Sequence, residues 1–97
     1  MEKFINKIIH GDCIEVMQQI PSDSIDVTFA DPPFNLKKKY GTYKDEKGTE
    51  DYLSWCKQWI LEMVRITKPS GSIFLHNIPK WLTYYACLLY TSDAADE

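Results

Sequence analysis

The apolar run Ile25-Asp26-Val27-Thr28-Phe29-Ala30 stops abruptly at Asp31-Pro32-Pro33, and two consecutive prolines allow neither a strand nor a helix to continue through them. The run is rich in β-branched and aromatic side chains and reads as a buried strand. Its carboxyl end then carries a carboxylate, two residues without a backbone N–H and an aromatic ring, Asp31-Pro32-Pro33-Phe34. In open α/β sheets ligands collect beyond the carboxyl ends of the strands, which makes this tetrapeptide a candidate reaction site.

The surrounding pattern supplies such a sheet. Residues 4–9 favour a strand, His10-Gly11-Asp12 a turn, and Asp12 with Glu15 three positions later has the spacing of a helix N-cap and its acidic partner. Ile14, Met17 and Ile20 fall on one face of that short helix, which Pro21-Ser22-Asp23-Ser24 ends. The lysine-rich stretch 35–48 lacks apolar periodicity and reads as a long surface loop. Thr49 is expected to cap an amphipathic helix with Tyr52, Trp55, Cys56, Trp59, Ile60, Met63 and Val64 at spacings of three and four, closed by a turn at Lys68-Pro69-Ser70-Gly71. This stripe places Trp55 and Trp59 in a core. Ser72-Ile73-Phe74-Leu75-His76 forms a further strand, and residues 79–86 begin another helix. Strands alternating with helices predict an α/β fold with a mainly parallel sheet.

With 97 residues the chain is bounded to one small domain. No apolar stretch is long enough to cross a bilayer and the N-terminus lacks the succession of a signal peptide, so a cytoplasmic protein is expected. Cys13, Cys56 and Cys87 are odd in number and widely spaced, which argues against a disulfide framework or a zinc site and for reduced thiols. Residues 87–97, Cys87-Leu88-Leu89-Tyr90-Thr91-Ser92-Asp93-Ala94-Ala95-Asp96-Glu97, resemble an in-frame translation of a sequencing adapter. They are expected to be a non-native tail, set apart from the domain at 1–86. Without Asp93, Asp96 and Glu97 the formal charges balance, so the acidic net charge of −3 says nothing about partners.

Asp31 to Phe34 suit a planar base bearing an exocyclic amine. Such a nitrogen delocalises its lone pair into the ring and is a poor nucleophile. The Asp31 carboxylate and the Pro32 carbonyl can each accept one of its N–H bonds, favouring a lone pair directed at an electrophile and stabilising the positive charge that develops. Phe34 can stack on the base, and the prolines act as rigid spacers with no amide to compete for the acceptors. A base in a duplex reaches such a pocket only when flipped out. Lys37, Lys38 and Lys39, just beyond the motif, can meet the flanking phosphates or form a solvated loop. His76 is given no role.

These residues resemble the S-adenosylmethionine-dependent DNA methyltransferases that act on the amino group of adenine or cytosine, whose signature Asp/Asn/Ser-Pro-Pro-Tyr/Phe follows a hydrophobic strand. Gly11-Asp12-Cys13, Ser24-Ile25-Asp26-Val27, Asp31-Pro32-Pro33-Phe34-Asn35 and Lys68-Pro69-Ser70-Gly71 extend the likeness to the permuted group that carries the catalytic motif near its N-terminus. The resemblance implies that Asp31 and Pro32 hold the amine, that Pro33 keeps the spacing and that Phe34 stacks. It also implies that Asp12 and Cys13 lie at the cofactor, with Asp12 near the adenosine part, although a helix cap alone also accounts for Asp12. S-adenosylmethionine is then the methyl donor without a metal, double-stranded DNA the partner, and a restriction endonuclease an admissible companion. The implied fold is an incomplete Rossmann-like methyltransferase sheet with flanking helices.

The family's Phe-x-Gly-x-Gly cofactor loop has no counterpart, since Gly11, Gly41, Gly48 and Gly71 are the only glycines. The expectation is therefore an inactive N-terminal part of an amino-directed DNA methyltransferase, adenine N6 before cytosine N4. Methylation of RNA or of a protein amide, and noncatalytic nucleic-acid binding, are the alternatives.

Overall fold

The structure is a computed structural model that describes residues 1–33, 39–40, 43–44 and 48–96. After a 3-10 turn at Glu2–Phe4 come helix α1 (Cys13–Gln18), strand β1 (Ile25–Ala30), short strands β2 (Lys39–Tyr40) and β3 (Tyr43–Lys44), helix α2 (Thr49–Ile66), strand β4 (Thr67–Leu75) and helix α3 (Pro79–Asp96). β1 and β4 form a two-stranded parallel sheet flanked by helices, a small α/β arrangement. The crossover between parallel strands contains α2, as such a connection requires. β2 and β3 pair antiparallel, Lys39 opposite Lys44 and Tyr40 opposite Tyr43.

Several expectations are corrected. Residues 4–9 form no strand: Asn6 sits at φ 57°, a left-handed conformation that asparagine tolerates and an extended chain does not, and Ile8 is fully exposed. The stretch 35–48 is not wholly loop, because it contains β2 and β3. Thr49 is the first helical residue instead of the cap, and the Gly48 carbonyl accepts the Tyr52 N–H at 2.8 Å. Lys68-Pro69-Ser70-Gly71 belongs to β4 and makes no separate turn. The strand starts early because the chain leaves α2 already bonded alongside the approach to β1: the Asp23 and Ser24 amides donate to the Arg65 and Ile66 carbonyls, both at 2.9 Å. Gly71 serves close approach, since a Cβ there would lie 2.6 Å from the Asp26 carbonyl oxygen. Finally, β1 is not buried on both faces: Val27 is 59% and Phe29 67% exposed.

The chain divides into two compact units. The first comprises Met1–Phe29 and Gln58–Phe74, with Trp59, Ile60, Met63 and Ile66 of α2 in its core. Here the Thr28 and Thr67 hydroxyls meet at 3.0 Å, Lys68 pairs with Asp26 at 2.9 Å, and Arg65 reaches back to α1. Its guanidinium donates to the carbonyls of Met17 at 2.6 Å and Ile20 at 2.9 Å, to the Ser22 hydroxyl at 3.2 Å and to Glu62 at 2.6 Å. These contacts bring a charged donor to carbonyls at and just beyond the end of a short helix, where the Met17 carbonyl also accepts the Ile20 N–H at 2.9 Å. The second unit comprises Ala30–Lys57 and Leu75–Glu97. Its core is Tyr52 and Cys56 from α2 with Trp81 and Tyr85 from α3, the Tyr52 and Trp81 rings 4.7 Å apart.

Candidate functional site

β1 delivers Asp31 as the first residue beyond its carboxyl end. The Asp31 carboxylate is exposed and accepts from, or shares a proton with, His76 Nδ1 at 3.0 Å. The backbone draws the same two residues together, because the His76 N–H donates to the Ala30 carbonyl at 2.9 Å and so extends the β1–β4 pairing by one bond. His76, assigned no role on sequence grounds, is therefore a neighbour of the Asp31 carboxylate. Its signal was available: parallel strands place the residues after their last ladder positions at the same sheet end.

Pro32 and Pro33 are half-buried. The Pro33 carbonyl accepts the Tyr52 hydroxyl at 2.5 Å. Behind that bond lies a buried polar cluster in which the Asn77 amide donates to the Tyr52 oxygen at 3.2 Å and to the Tyr85 oxygen at 2.8 Å. The two tyrosine hydroxyls are 3.1 Å apart and Cys56 Sγ is 3.4 Å from that of Tyr85. Burial pushes the Tyr52 phenol up to about 12 and Tyr85 higher still, so both remain neutral hydroxyls at any physiological pH. Tyr52 was legible as a core position from its spacing; its bond to the motif was not.

Asp12 and Cys13 belong to the first unit. Asp12 is the N-cap of α1, its Oδ2 accepting the Glu15 N–H at 3.1 Å. The cap expected from the sequence is thus present, and a carboxylate with one oxygen so engaged keeps acceptor capacity for a further donor. Cys13 is the first residue of α1 and exposed as a whole, yet partial burial of its thiol and the adjacent Asp12 carboxylate raise its pKa. Phe34, Lys37 and Lys38 lie outside the described residues, and Lys39 opens β2.

Among the described residues no three acidic, histidine or cysteine side chains gather as a metal site, and no helix is long and apolar enough to cross a membrane.

Asp31-Pro32-Pro33 thus follows the carboxyl end of a strand in a small parallel β-α-β arrangement, and family comparison gives the chain a class. The family model for DNA methylases of the N6/N4 type matches residues 25–93, and the chain belongs to that family. It is 47% identical over 81 residues to the type II methyltransferase M.BamHI of Bacillus amyloliquefaciens, covering 82% of this chain and 19% of that protein. It is 33% identical over 78 residues to the type II methyltransferase M.HpaI of Haemophilus parainfluenzae, covering 80% and 25%. With the DNA adenine methyltransferase YhdJ of Escherichia coli it shares 34% over 70 residues, covering 72% and 24%. The chain spans about a fifth to a quarter of the length of these relatives.

Proposed function

We propose that this chain carries the amine-holding half of a DNA methyltransferase site, and that the full-length enzyme transfers a methyl group from S-adenosylmethionine to the exocyclic amine of a base flipped from double-stranded DNA. The observation that carries the reading is the exposed Asp31 carboxylate at the end of β1, followed by a backbone fixed at Pro33. Family membership and the type II methyltransferase relatives support the reaction class. The Asp at the motif's first position favours adenine N6 over cytosine N4, and the Escherichia coli relative named as a DNA adenine methyltransferase supports that choice. In the same reading β1 and β4 are strands of a Rossmann-like sheet, Phe34 stacks on the base, Lys37 to Lys39 meet phosphates, and residues 87–97 are foreign to the enzyme.

The cofactor, when bound, supplies an electrophilic methyl on a sulfonium. The methyl would pass to the amine as the sulfonium becomes a neutral thioether, and the proton that the amine gives up would leave to solvent by way of the Asp31 carboxylate that accepts its N–H. Asp31 accepts one amine N–H and the Pro32 carbonyl the other, so both partial charges face the nitrogen as it becomes positive. His76, at 3.0 Å from Asp31, orients the carboxylate before the amine arrives. Asp12 is suited to accept from a cofactor hydroxyl or amino group through its remaining acceptor capacity, while its Oδ2 caps α1.

A chimera in which this sequence replaces the matching stretch of the B. amyloliquefaciens relative supplies a full-length enzyme for the test. Asp31→Ala there should lower incorporation of labelled methyl into unmethylated DNA by about 10²- to 10³-fold, on the order of removing a principal charge-stabilising group, with DNA affinity changed by less than about threefold. Near-normal incorporation removes Asp31 from the chemistry. Analysis of the methylated nucleoside decides between adenine N6 and cytosine N4, and the 97-residue chain alone should give no transfer.

A further inference from the structure

A Pro-Pro segment cannot be fixed by its own amides, because it has none to donate. Only its carbonyls can be held. Two such anchors bracket the motif within the second unit: the Ala30 carbonyl accepts the His76 N–H at 2.9 Å, and the Pro33 carbonyl accepts the Tyr52 hydroxyl at 2.5 Å. Between them both proline φ angles are locked, and Asp31 and Pro32, each preceding a proline, are confined to extended conformations. Pinning the Pro33 carbonyl therefore fixes much of the remaining freedom of the Pro32 carbonyl and of the Asp31 backbone.

The cluster behind Tyr52 also has a defined direction. Tyr52 carries one hydroxyl proton, and a carbonyl can only accept, so that proton goes to Pro33. At the 3.1 Å contact between the tyrosines, Tyr85 must then be the donor and Tyr52 the acceptor. With the Tyr85 proton committed, the Cys56 thiol is the donor at 3.4 Å. Asn77 cannot reverse this order: the Ile78 N–H on its Oδ1 at 2.8 Å fixes which end of the amide faces the hydroxyls, and its Nδ2 donates to both. The hydroxyls run one way, from Cys56 through Tyr85 and Tyr52 to Pro33.

We infer that Tyr52 is a positioning residue for the methyl-transfer site, its buried hydroxyl holding the Pro33 carbonyl inward so that the Asp31 carboxylate and Pro32 carbonyl are pre-set for the two N–H bonds of the target amine. This rests on the amine-holding role proposed for Asp31 and Pro32. A hydroxyl that burial keeps protonated up to about pH 12 is a donor under all assay conditions.

The test compares Tyr52→Phe with Tyr85→Phe in the full-length chimera. Each deletes one hydroxyl from the same buried cluster, so both lower the melting temperature, but only the first removes the donor to Pro33. Tyr52→Phe should lower the single-turnover rate at saturating S-adenosylmethionine and DNA about tenfold or more, with both dissociation constants within about twofold. Tyr85→Phe should lower it less than about threefold. Equal rate losses in the two variants, or an unchanged rate in Tyr52→Phe, overturn the positioning role and leave the proposed reaction standing. An unsubstituted chimera without transfer overturns the reaction and the positioning role together. Should Tyr52→Phe not fold, the unsubstituted enzyme still decides: with tyrosine selectively labelled, its Tyr52 hydroxyl proton should exchange slowly and show nuclear Overhauser contact with Pro33. A freely exchanging hydroxyl overturns the inference.

Discussion

Tyr52 and Tyr85 give this small protein an alkaline limit that can be read from two residues. Both phenols are raised by burial, Tyr52 to about 12 and Tyr85 further, against an unfolded value of about 10. A raised acid in the folded state means that folded and unfolded chains are both protonated below pH 10, where the contribution to stability is complete. Above pH 10 the unfolded chain loses these protons first, so stability falls as pH rises towards 12. Urea midpoints of the full-length chimera should be flat with respect to these groups up to about pH 10 and decline beyond it, and Tyr52→Phe should make the decline shallower. An unchanged slope contradicts the assignment. Residues of this kind were half legible. Spacing on α2 placed Tyr52 and Cys56 in a core, as observed, and the Asp-Pro-Pro chemistry singled out the residues proposed to hold the amine. The Tyr52–Pro33 and His76–Asp31 contacts join positions 19 and 45 apart in sequence, and no local pattern encodes such pairs.

At the scale of elements, the sequence located β1, α1 and α2 because each carries a strong local signal: an apolar run ended by prolines, a capping aspartate, a stripe of period 3.6. It misplaced the strand at residues 4–9 because β-propensity there competes with the left-handed Asn6 and no described strand pairs with it. Lys68-Pro69-Ser70-Gly71 has turn chemistry, and bonding beside β1 overrides it. Arg65 escaped notice for a related reason, since it looks like one more cation in the last turn of a helix. In the structure it joins the end of α2 to the end of α1 by charge-assisted bonds to two carbonyls that are 45 and 48 residues away. Arg65→Ala leaves both part-buried carbonyls without this donor and should cost about 2 kcal/mol, on the scale of hydrogen bonds to charged groups. Arg65→Lys should recover little, because a single ammonium cannot present the planar fork that reaches Met17, Ile20 and Glu62 together. Urea unfolding of the chimera measures both, and a fully restored lysine variant would show that charge alone suffices.

For the whole molecule the informative surface is the apolar one. Val27 and Phe29 project from β1 more than half exposed, Phe74 of β4 is exposed as well, and Ile5 and Ile8 add to the same count of uncovered large side chains. Monomeric proteins seldom leave such surface open without a use for it. In the proposed Rossmann-like sheet these strand residues are covered by further elements of the full-length enzyme, and that makes opposite predictions in two contexts. In the 97-residue chain, Val27→Thr with Phe29→Thr removes exposed apolar area while keeping β-propensity, so it should reduce hydrophobic-dye binding and self-association without loss of helical circular dichroism. In the chimera the same pair should lose stability, by about 3 kcal/mol or more if both side chains are fully buried there. A double variant that improves the isolated chain and leaves the chimera unaffected would mean that this face stays open in the complete enzyme, and the sheet would then need a different neighbour from the one the family architecture supplies.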